Sequence, residues 1–166
     1  MDIDTETIHR VRDALLFKGR EKAEGMAGQA DKHFAHEQDL LERFSPFAET
    51  MFIMALADGR EAPEELDALR GAMHMLTANE LHDGALTDIY QRCKHNLAEW
   101  GLRAYLERIG SEIGADRMDR ETAFTLAAAV ALADNDVDGA ELEHMQEIAE
   151  CFGISNSASR RLLSAM

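Results

Sequence analysis

The chain has 166 residues and a net charge of −15, from 32 Asp and Glu against 17 Lys and Arg. That field repels phosphate backbones and anionic bilayers, which makes nucleic acid and lipid headgroups poor partners and cations or basic protein surfaces better ones. The length suits one domain with a real hydrophobic core, and no apolar run reaches the ~18 residues of a membrane span.

Nearly every segment has helical periodicity and none alternates like a strand, so the fold expected is all-α, a single compact domain of about seven to nine helices. Ile8, Val11 and Leu15 open a first amphipathic helix, ended by Gly19. Residues 19–30 carry Gly19, Gly25 and Gly28 among charges and read as a connection. Phe34, Leu41 and Phe44 predict a second helix that stops before Ser45-Pro46. Ser45 as cap and Pro46 at the first position then start a helix through Phe47, Met51, Met54 and Ala55, closed by Asp58-Gly59. A helix follows from Pro63 to about Leu76. Residues 84–99 and 101–113 predict two middle helices joined near Gly101, with Tyr90, Trp100 and Tyr105 packed between them. The stretch 123–133 is apolar nearly all round and predicts a buried central helix. Helix 139–152 and a short helix around Arg160–Leu163 complete the set. Residues 1–44 are assigned to N-terminal helices packing on or flanking the core, and 45–166 to the main helical domain.

Within that domain one phrase occurs twice. Ala55-Leu56-Ala57-Asp58 returns 76 residues later as Ala131-Leu132-Ala133-Asp134, and each is followed by a Glu-Leu pair, Glu65-Leu66 and Glu141-Leu142. Apolar positions 66, 69, 72, 73 and 76 align with 142, 145, 148, 149 and 152 at the same offset. The domain therefore reads as two pseudo-symmetric helix-loop-helix repeats. Met51-Phe52-Ile53-Met54 in the first copy stands where the second has Ala127-Ala128-Ala129-Val130, bulk facing smallness.

Helix punctuation explains part of the phrase. Asp138 and Glu141 fit a capping box, and Glu64 and Glu65 suit the positive end of their helix. Asp58 and Asp134 fall at helix C-termini, where the dipole disfavours a negative charge by ~0.3–1 kcal/mol. A cation bridging Asp and Glu would compensate. Carboxylates without His or Cys suit Ca²⁺, Mg²⁺ or Mn²⁺. The candidate ligands are Asp58, Glu65, Asp134 and Glu141, with Asp136 and Asp138 in the second loop. That loop opens like an EF-hand, but Glu141 stands where an aliphatic residue belongs and Met145 where a bidentate Glu is needed.

Residues 57–65 and 133–141 together resemble the duplicated A-D-G-x-x-x-x-E-E signature of TerB-like, tellurite-resistance proteins. Ile148-Ala149 and Gly153 resemble that family's sequel. The resemblance covers about 45–155, and the second copy departs from it with Asn135 in place of Gly. It implies an all-α domain of roughly seven helices with internal pseudo-twofold symmetry, in which the acidic pairs are proposed cation ligands. It also implies a role in bacterial stress and tellurite resistance without catalytic activity. No His-Pro-Asp tripeptide of the J-domain type is present.

Other residues carry less. Asp31, His33, His36, Glu37 and Asp39 form a polar helix side, His144 follows Glu141 by one turn, and His9, His74, His82 and His95 are isolated. Cys93 and Cys151 share no motif spacing and read as buried free thiols in a reducing compartment. The acidic N-terminus is unlike a signal peptide, so a cytoplasmic location is expected. Met51, Met54, Met73 and Met75 fall on buried faces. No P-loop or nucleophile elbow occurs. The leading expectation is a non-enzymatic acidic module with a divalent-cation site. The alternatives are a cation-independent domain docking a basic protein surface through 134–150, and a metal-dependent hydrolase. The oligomeric state is not readable.

Overall fold

The computed structural model describes residues 5–13, 32–57, 63–78, 80–133 and 139–165, with side chains described from 38 in the second segment and from 66 in the third. These contain eight helices and no strand: α1 (5–13), α2 (Lys32–Ala55), α3 (Pro63–Leu76), α4 (Asp83–Trp100), α5 (Leu102–Ile113), α6 (Arg117–Ala131), α7 (Gly139–Cys151) and α8 (Asn156–Leu163). The all-α expectation holds. Leu15, Gly19 and the connection 19–30 lie outside the described residues.

Helices α2 and α6 form the centre. Among the described helices their mutual interface is the most extensive, and α4, α5 and α7 pack around them. Every residue from Ala123 to Ala131 is buried, as expected of a helix with no polar face; its alanines allow close approach by neighbours. Met51, Phe52, Ile53 and Met54 of α2 are all buried, as is Met73 of α3, so the methionines are core filler. Ile8 and Val11 of α1 join the same core.

The break expected at Ser45-Pro46 does not occur. Pro46 lies inside α2, which runs 24 residues without interruption. An internal proline costs about 3 kcal/mol. Burial of Leu40, Phe44, Phe47 and Met51 along one face of the continuous helix offsets this, at about 1.5–3 kcal/mol per large side chain. Two local contacts complete the account. Thr50 Oγ1 donates to the Pro46 carbonyl at 2.7 Å, and the Ser45 hydroxyl accepts from Arg92 at 3.2 Å instead of capping a helix.

The α4–α5 junction falls at Gly101, whose φ of 76° lies in the left-handed region that glycine tolerates best. Packing there differs from expectation. Tyr105 is fully buried and meets Trp100 edge-on at 5.9 Å, yet Trp100 remains 48% exposed. Tyr90 turns to α2, edge-on to Phe52 at 5.3 Å.

Candidate functional site

The two repeated phrases begin from matching backbone. Helix α2 ends at Ala55 and α6 at Ala131, while α3 starts at Pro63 and α7 at Gly139, each pair 76 residues apart. The closing turns match as well. Leu56 N–H donates to Phe52 and Ala57 N–H to Met54, as Leu132 donates to Ala128 and Ala133 to Val130, all at 2.9–3.1 Å.

Of the six acidic candidates, Asp58, Asp134, Asp136 and Asp138 lie outside the described residues, and Glu65 has its backbone described but not its side chain. Glu141 is described: it is partly buried in the first turn of α7 and engaged in an interaction. Among the described residues no cluster of three His, Cys, Asp or Glu is arranged for a metal. His144 turns a ring nitrogen, Nδ1, onto its own helix, 2.9 Å from the Ala140 carbonyl. The side chains of the 31–37 cluster are outside the described set.

One titratable group that looked isolated is not. His74 Nε2 lies 2.7 Å from Asp83 Oδ1, which ties α3 to the start of α4. More consequential is Glu49, only 1% exposed in the middle of α2. Arg92 of α4 donates to its Oε1 from Nε and Nη2 at 3.1 and 2.9 Å, and Arg108 of α5 donates to its Oε2 at 2.7 Å. Arg108 also donates to Glu112 at 2.6 Å and lies over the Trp100 and Tyr105 rings at 5.5 and 5.2 Å. The buried carboxylate thus binds three helices together through charge-assisted hydrogen bonds. The lone acid inside Pro46-Phe-Ala-Glu-Thr-Met-Phe-Ile-Met54 was the available signal for it.

Beside this network the Tyr105 hydroxyl is buried near Glu49 and Cys93 without a well-formed hydrogen bond. Burial and the neighbouring negative charges push its pKa upward. Burial likewise pushes the Cys93 thiol from 9.0 up to about 12. Cys151, expected buried, is only partly so. At alkaline pH the unfolded Cys93 ionises above 9.0 while the folded thiol keeps its proton, so stability falls as pH rises from 9.0 towards 12. Urea midpoints measured across that range should fall less steeply in Cys93→Ala. Tyr105 and Cys151, whose shifts have the same sign, contribute to the slope that remains.

Eight helices and no strand among the described residues, in a chain of net charge −15, define an acidic all-α protein. A family model described as tellurite resistance protein TerB matches residues 47–164. The chain belongs to that family. No curated protein and no solved structure matches it. No described helix is long and apolar enough to cross a membrane.

Proposed function

We propose that this chain is a non-enzymatic module of bacterial stress or tellurite resistance that holds a divalent cation at its two repeat loops. Asp58, Glu65, Asp134 and Glu141 are the proposed ligands, with Asp136 and Asp138 contributing from the second loop. The observation that carries the reading is the shared 76-residue offset of the acidic phrase and of the helix ends on either side of it. Each loop thereby starts from one backbone frame and delivers the same acidic phrase. All-oxygen donors of this kind select Ca²⁺, Mg²⁺ or Mn²⁺.

Thermal melting with each of these ions and with Zn²⁺, on wild type and on Asp134→Ala, tests it. An ion at 100 times its dissociation constant should stabilise the wild type by about 2.7 kcal/mol and the variant far less. Absence of any shift at millimolar ion would remove the cation from the proposal, and a shift that survives the substitution would move the site elsewhere.

One observation favours a second reading, a cation-independent domain that docks a basic protein surface. Leu142 is 59% exposed on α7, on the side that also presents Glu143, Gln146 and Glu150 to solvent. An apolar contact ringed by acids suits a basic amphipathic partner. Under this reading the ion melts are flat, and Leu142→Lys abolishes capture of the partner without lowering the melting temperature.

A further inference from the structure

At the opposite end of the α6–α7 hairpin from the loop 134–138, the charge pattern inverts. Residues 152–166 contain no Asp or Glu and include Arg160 and Arg161, in a chain that carries 32 acids. Here the start of α6, the turn after α7 and the start of α8 enclose a cleft of about 360 Å³, within the range of small-ligand sites. Phe152, Ile154 and Ala158 are among its lining residues, and of these Ile154 and Ala158 keep some surface open. Arg117 and Arg120 line it with Glu121.

The carboxylate of Glu121 is already taken. Arg117 donates to it at 2.7 Å, and Arg161 donates to both its oxygens at 3.1 and 3.2 Å. Two guanidinium groups line the cleft beside one carboxylate, which Arg161 also reaches from α8. Arg120 is held in place, because its Nε donates to the Gly114 carbonyl at 2.6 Å and its Nη1 to the Phe152 carbonyl at 3.2 Å. Its Nη2 has no hydrogen-bond partner among the described residues. A guanidinium fixed in this way binds an anion with little further loss of freedom.

We infer that this cleft binds a monocarboxylate carrying a compact apolar group, with the carboxylate on Arg120 and Arg117 and the hydrocarbon against Ile154 and Ala158. The apolar lining selects against inorganic anions. The fixed negative charge of Glu121 selects against dianions such as phosphate. The C-terminal residue of a peptide and a small branched organic acid share this chemistry.

The test records amide ¹H–¹⁵N spectra of the full chain during titration with N-acetyl-leucine, 3-methylbutanoate, N-acetyl-leucinamide and inorganic phosphate at constant ionic strength. Both carboxylates should move the amides of Ala115, Gly153, Ile154 and Ser155, and the neutral amide should not. Tighter binding of N-acetyl-leucine points to a peptide terminus, and tighter binding of 3-methylbutanoate to a small acid. Arg120→Gln would loosen two backbone ties, so the informative variant is Arg117→Gln, whose side chain is 75% exposed. It should weaken carboxylate binding roughly 3–10-fold with the melting temperature unchanged. The inference is overturned if millimolar carboxylate leaves these amides unmoved, if the neutral amide or phosphate moves them equally, or if Arg117→Gln binds as wild type does.

Discussion

Replacing both Arg92 and Arg108 by alanine is expected to lower the unfolding free energy by about 3–5 kcal/mol, because it strands the Glu49 carboxylate in the core. Glu49 is 1% exposed, and these two arginines are what holds its carboxylate there. Either single variant leaves one guanidinium on the carboxylate and should lose less. The two arginines are half-exposed, so in Glu49→Ala they rehydrate, and that variant too should fall short of the double one. Adding Glu49→Met to the double variant should recover most of the loss, since an apolar side chain of similar volume needs no partner. Urea denaturation gives the energies. Trp100, the chain's single tryptophan, sits 5.5 Å from the Arg108 guanidinium, so its fluorescence reads the same site directly. A double variant as stable as wild type would mean that the carboxylate is solvated after all.

Phe52→Ala should lose a comparable amount, about 3–5 kcal/mol. Phe52 is 1% exposed in the helix that makes the most extensive contacts in the fold, and it also meets the Tyr90 ring edge-on. The position related to it by the 76-residue offset is Ala128, equally buried in α6. Ala128→Leu should therefore destabilise by overpacking, by about 1–3 kcal/mol. If Phe52 fills the space that Ala128 leaves, the combination of Phe52→Ala with Ala128→Leu will lose less than the sum of the two. Denaturant midpoints for the four chains of this cycle measure that coupling.

Helix positions were legible where apolar period and punctuation agreed. Pro63, Gly101 and the polyalanine run 127–129 each settle a boundary or a burial through local chemistry, and the structure places them as expected. Pro46 misled because its local preference was opposed by a long apolar face, whose burial is a tertiary effect no short window contains. Glu49 was missed for a related reason. Its partners lie 43 and 59 residues away, and nothing near it in the chain announces an arginine. The acidic loops were the reverse case. Their motif was plain in the sequence, and of the six acids only the side chain of Glu141 is described, partly buried and engaged. The cleft at the far end was hidden because its lining comes from two segments far apart in the chain, 115–121 and 152–158.

The unbroken passage of α2 through Pro46 bears on how the protein can be cut. A 24-residue helix spans about 36 Å. The family match begins at residue 47, near the middle of that rod. A fragment started there would sever the helix at the proline and remove Leu40 and Phe44, both buried. It would also discard Ser45, which binds Arg92. The family match therefore begins inside a buried helix, and fragments for expression should keep α2 whole.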